Sequence, residues 1–106
     1  VHYIFEIRIT DENYRPEDYA EAWVRASEYI QQAKGACGTR LHRKIDAPDT
    51  LLAIATWESK AARDAMELDP PEEIAAIIAS QTPHVEITLL GEFEAPEWEV
   101  LPPSSP

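Results

Sequence analysis

A chain of 106 residues has room for one domain and one modest hydrophobic core. Its net charge of −11 speaks against nucleic acid or an anionic membrane surface as partner, because both need clustered Lys and Arg. The longest apolar run, Leu51 to Ala55, is far too short to span a bilayer, and no cationic leader with an apolar core opens the sequence, so the expected location is cytoplasmic.

Residues 2 to 10 alternate. Tyr3, Phe5, Ile7 and Ile9 share one face and Ile4, Glu6, Arg8 and Thr10 the other, which predicts a half-buried strand. Residues 11 to 15 are polar and read as a loop. Pro16 suits the first position of a helix, where its missing N–H is not needed. Glu17 and Asp18 in the first turn complement the helix dipole. Tyr19, Trp23, Ala26, Ile30 and Ala33 form one helical stripe, and Gly35 is the expected stop. Tyr19 and Trp23 read first as core packing, with a cavity-lining role as the functional alternative.

Cys37 has no partner in the chain, so there is no disulfide framework; it reads as a small apolar residue near a turn. Residues 38 to 46 predict a second strand, with Thr39, Leu41, Arg43 and Ile45 on one face and Arg40, His42 and Lys44 on the other. Ala47-Pro48-Asp49 is turn chemistry. Residues 50 to 58 predict a third strand that is apolar on both faces. Such a strand is covered on both faces. The chain's own helices can cover one, and a second copy of the chain is the candidate for the other.

Ser59 is a fair cap for a helix over residues 60 to 68. Asp69-Pro70-Pro71-Glu72 reads as the start of another, with Asp69 as its cap and an apolar stripe of Ile74, Ile77 and Ile78. Residues 81 to 83 read as a loop. Residues 84 to 94 predict a fourth strand, with Val85, Ile87, Leu89 and Phe93 on one face. The Pro-rich remainder reads as an arm beyond a domain of residues 1 to 95, docked through Trp98 and Leu101 and fraying over residues 104 to 106.

The element order β-α-β-β-α-α-β is the α+β, ferredoxin-like split βαβ plan, with a four-stranded antiparallel sheet whose edges are the second and fourth strands. The second strand carries Arg40, Arg43 and Lys44, whereas residues 85 to 106 carry five glutamates and no Lys or Arg. An exposed edge is a liability unless covered. The expectation is a homodimer in which the basic strand of one copy meets the acidic strand or arm of the other.

His2, His42 and His84 show no metal-ligand spacing, although His2 and His84 could meet across the sheet. No dinucleotide fingerprint, phosphate loop or nucleophile elbow is present, so nicotinamide, ATP and hydrolase readings lose their usual support.

The stretch GTRLHRKIDAPDTLLAIATWES followed by KAARDAM resembles the middle of the antibiotic biosynthesis monooxygenase family, in the dimeric α/β-barrel superfamily. The matching residues are Gly38, Arg40, Leu41, Arg43, Asp46, Pro48, Trp57, Glu58 and Ser59, within a block that covers about a quarter of the chain. The resemblance implies a dimeric barrel of ferredoxin-like chains. In the quinone-forming branch it implies oxidation of a phenolic substrate by O2 with no cofactor. That branch places an Asn, a Trp, a Tyr and a His at positions held here by Ala53, Trp57, Arg63 and His42. The Trp and His match; the Asn and Tyr do not. In the haem-degrading branch, Ile7 stands where an Asn belongs and no histidine lies between His42 and His84, so that activity is not expected.

The candidate site on this resemblance has His42 as base, Trp57 as a catalytic and pocket-lining residue, Arg63 or Arg40 as the group binding anionic oxygen, and Trp23 as a further substrate contact. The plainer readings stand beside these: Trp57 closing a buried strand as core, Arg63 as a helix surface charge, His42 as a surface or interface residue. Two functions follow: a cofactor-independent monooxygenase acting with O2 on a small aromatic or polyketide-like substrate, or a non-catalytic homodimer binding a small apolar ligand. A dry cavity beside Trp57 is the feature that would support a ligand site.

Overall fold

In the computed structural model, which describes residues 1–104, the elements are β1 (His2–Ile9), α1 (Pro16–Ile30), β2 (Ala36–Lys44), β3 (Ala47–Trp57), α2 (Lys60–Leu68), α3 (Glu72–Gln81) and β4 (Val85–Phe93). The strands form one antiparallel sheet in the order β2-β3-β1-β4, the ferredoxin-like α+β plan that the element order predicts. Of the fraying expected over residues 104 to 106, residues 105 and 106 lie outside the described residues.

Period-2 patterning decides which face is buried. Tyr3, Ile7 and Ile9 of β1 and Leu51, Ala53 and Trp57 of β3 are buried, and all have odd numbers. Of these, Ile7, Ile9, Leu51 and Ala53 pack with Tyr19 of α1 and Val85 of β4 in one core cluster, and Ala22 and Ala26 of α1 and Ile74 of α3 are buried as well. The even-numbered residues Ile4, Leu52 and Ile54 are only half-buried, on the sheet face away from this core.

Local chemistry sets several boundaries where expected. Pro16 opens α1, and the Asp18 carboxylate accepts from the Arg15 backbone N–H at 3.0 Å. Ser59 caps α2 by accepting from the Ala62 N–H at 3.1 Å.

Other boundaries move, each for a nonlocal reason. The β2–β3 turn is Ile45-Asp46, not Ala47-Pro48-Asp49, which already belong to β3. Asp46, the second turn residue, is left-handed at φ 64°, next to a register shift between Arg43 and Lys44. Ile45 is therefore exposed in the turn instead of continuing a face of β2. Pro48 is accommodated in the register shift between Arg43 and Lys44, where no ladder N–H is required of it. Helix α1 ends at Ile30, before Gly35. Tight turns then lead to Gly35, with φ of 89°, where an added Cβ would lie 2.5 Å from that of Ala62 on α2. Asp69 closes α2 instead of capping α3, which starts from Pro71. A bulge at Leu90 shifts the β4 register, so that Leu89 pairs with Phe5 but Phe93 pairs with His2. Phe93 thus leaves the face of Ile87 and Leu89, and Glu92, opposite Tyr3, joins the helix side. The arm does not dock on its own domain: Trp98 is 85% exposed and Leu101 70%.

Candidate functional site

The helix-facing side of the sheet is not completely filled. A cavity of about 340 Å³ lies between α1, α3 and the sheet. Small residues create it. Ala22 and Ala26 on α1 face Ala53 and Ala55 on β3, so neither wall reaches the other. Phe5, Tyr19 and Trp23 supply aromatic walls, and Ile77, Ile78 and Ile87 line the side toward α3 and β4, where Ile78 and Ile87 are half-exposed. The volume is at the lower end of the range of small-molecule sites, and an apolar lining with few polar groups is their usual character.

Polar groups on this lining are few. Tyr19, Trp23, Ser27, Thr39 and Gln81 are the lining side chains that can hydrogen-bond, and none of the lining residues carries a charge. Burial pushes the Tyr19 phenol up to about 12, with the nearby Tyr14 adding to the effect, so Tyr19 is a neutral phenol at physiological pH. Thr39 donates to the Ile54 carbonyl at 3.3 Å.

One end of the cavity is tied to a polar array. The Tyr14 hydroxyl bonds Gln81 Oε1. The Tyr14 ring stacks on His84, centroid to centroid 4.2 Å with 16° between planes. His84 Nδ1 lies 2.7 Å from Asp11 Oδ2. The Asn13 backbone N–H, bonded at 2.9 Å, and then His84 hold the Asp11 carboxyl below its ordinary range. Gln81 is the last residue of α3 and is buried, not part of a loop. The signal for it is present in the spacing: Ile74, Ile77 or Ile78, and Gln81 continue one helical stripe. Tyr14, His84 and Asp11 carry no comparable local signal.

The expected site residues separate. Trp23 lines the cavity. Trp57 lies on the same sheet face, two residues beyond Ala55, but is only 4% exposed and closes β3 outside the cavity lining. Its backbone N–H donates to the Val1 carbonyl at 2.9 Å. Arg63 sits on α2 with its guanidinium carbon 4.3 Å from the Tyr3 ring centroid, paired with Glu67 at 2.7 Å and lying 3.9 Å from Asp64 and Glu92. His42 is exposed on β2 opposite Leu52, on the sheet face away from Trp57. Arg40, His42 and Trp23 border an open depression along the β2 edge. His2 bonds Thr56 at one end of the sheet, whereas His84 precedes β4 at the other, so they do not meet. Among the described residues, no three His, Cys, Asp or Glu side chains converge in a metal-binding arrangement, and no helix is long and apolar enough to cross a membrane.

Residues 1–67 match the family model described as antibiotic biosynthesis monooxygenase. No curated protein matches the chain. Solved structures share its fold at low identity. SnoaB, a cofactor-independent oxygenase from Streptomyces nogalater, superposes with a TM-score of 0.70 at 12% identity, over 92% of this chain and 96% of its own. A conserved protein of unknown function from Bacteroides thetaiotaomicron also reaches 0.70, at 17% identity over 83% and 89%. A candidate antibiotic biosynthesis monooxygenase from Nitrosomonas europaea reaches 0.66, at 9% identity over 89% and 100%.

Proposed function

The chain belongs to the antibiotic biosynthesis monooxygenase family, and from that premise we propose that it binds a small aromatic or polyketide-like substrate in the cavity between α1, α3 and the sheet and oxidises it with O2 without a cofactor. The observation that carries this reading is the cavity itself: apolar, walled by Phe5, Tyr19 and Trp23, and of small-ligand size. The choice of chemistry is by analogy with a cofactor-independent oxygenase of the same fold. In this reading the walls exclude water and hold the ring, and Trp23 is the aromatic contact. Trp57 supports the sheet face from beyond Ala55. Arg63, engaged with Tyr3 and three carboxylates, shapes that end of the sheet.

The working unit is a homodimer closed through the uncovered sheet face, where Ile4, Leu52 and Ile54 are half-buried in the single chain. That face carries Arg40, His42 and Lys44, so His42 would serve at the junction of two copies.

Oxygen uptake with dihydroxynaphthalene-type substrates tests the oxidation. Uptake above the buffer rate, reduced at least about tenfold by filling the cavity through Ala53→Phe, is the expected result. A second reading, binding without turnover, is favoured by the uncharged cavity lining and the position of His42 on the opposite face. Ligand binding with no oxygen uptake across such a panel would select it over oxidation.

A further inference from the structure

We infer that Gln81 is the polar anchor of the cavity, selecting an uncharged ligand that presents one hydroxyl or carbonyl oxygen at that end. The inference rests on the reading of the cavity as a ligand site. Gln81 is 9% exposed and lines the cavity from the last turn of α3.

The hydrogen-bond network fixes which way its carboxamide points. The Ser80 hydroxyl has one hydrogen, and it donates that to the Ile77 carbonyl at 2.6 Å. The Ser80 oxygen can therefore only accept from the Gln81 group 3.1 Å away, which must be the NH2. Oε1 then faces Tyr14, whose hydroxyl donates to it. A carboxamide offers two N–H donors and two lone pairs. Each half is used once here, so one donor and one acceptor remain on a side chain that is nine-tenths buried against apolar walls. Both carboxamide atoms thus already have one partner, and the remaining donor and acceptor capacity is what a hydroxyl or carbonyl on a bound ligand would use.

Three further residues hold the anchor still. Tyr14 fixes Oε1, the His84 ring packs flat on Tyr14, and Asp11 fixes His84. Because an ionised carboxylate only accepts, His84 Nδ1 carries the proton of that bond. These are positioning residues. The sign of the ligand's charge follows from the lining. It holds no cation or anion, and a charge buried there would be unpaired.

Calorimetric titration with three probes of one ring system provides the test: 1-naphthol, 1-methylnaphthalene and 1-naphthoate. The wild-type protein is expected to bind 1-naphthol about tenfold more tightly than 1-methylnaphthalene, the worth of one hydrogen bond, and to bind 1-naphthoate more weakly than 1-naphthol. Gln81→Met, of similar length and apolar, is expected to bind 1-naphthol and 1-methylnaphthalene alike. Equal binding of those two probes by the wild-type protein, tightest binding of 1-naphthoate, or a preference that survives in Gln81→Met would each overturn the anchor while leaving the cavity as a ligand site. Binding of none of the probes would overturn both. The wild-type comparison stands without the variant.

Discussion

Tyr19 shows how burial at one residue becomes a property of the whole chain. Its phenol ionises near 12 in the folded protein because burial disfavours the phenolate, against about 10 in an unfolded chain. Between those values the unfolded state has lost the proton and the folded state retains it. The contribution is therefore fully present below pH 10 and is lost as pH rises through 12. The loss is about 1.4 kcal/mol per pH unit, or roughly 3 kcal/mol over the window. Denaturant unfolding at pH 8, 10 and 11 is expected to show this fall, and Tyr19→Phe is expected to flatten it. An equal fall in the variant would place the titration elsewhere. At this scale the sequence was legible in part. Tyr19 and Trp23 sit on the predicted stripe, and both line the cavity. Gln81 continues the stripe of α3, but the polar residues that follow it set the predicted helix boundary too early.

At the scale of elements, what was legible was local. The alternation of β1, the proline and acidic first turn of α1, and the Ser59 cap each depend on neighbours in sequence, and each is found. What was not legible depends on a partner strand. Asp46 takes positive φ next to the register shift that closes the hairpin, and the composition of Ala47-Pro48-Asp49 masks this. The Leu90 bulge turns Phe93 to the open face and Glu92 toward Arg63 and Lys60, a change that no period-2 reading of β4 alone contains. The corrected face now includes Phe93 beside Ile4, Leu52 and Ile54, a half-covered apolar surface with Arg40, His42 and Lys44 at the β2 edge. Light scattering is expected to give the mass of two chains for the wild-type protein and of one for Ile54→Lys, with circular dichroism unchanged. Salt is expected to weaken the pairing of the charged edges. A wild-type mass of one chain at every concentration and ionic strength would contradict the dimer.

For the molecule as a whole, a fold signature does not by itself locate a site. The W-E-S block, the element order and the family match all describe a scaffold, and the scaffold is present. The two residues singled out for catalysis, His42 and Trp57, lie on opposite faces of one sheet, so a single chain does not bring them to one ligand. What the scaffold encloses is set by where packing fails to fill, between the alanines of α1 and those of β3, and no sequence pattern marks an unfilled volume. The arm likewise leaves Trp98, Val100 and Leu101 exposed, apolar surface that a single chain does not cover. Mapping backbone amide shifts in a ¹⁵N-labelled sample titrated with 1-naphthol locates the ligand. Binding in the cavity between α1, α3 and the sheet is expected to give the largest shifts at Ala22, Ala26, Ser27, Ile78 and Gln81. Shifts confined to Arg40, His42 and Ile54 on the far side of the sheet, or no saturable shifts at all, would contradict it.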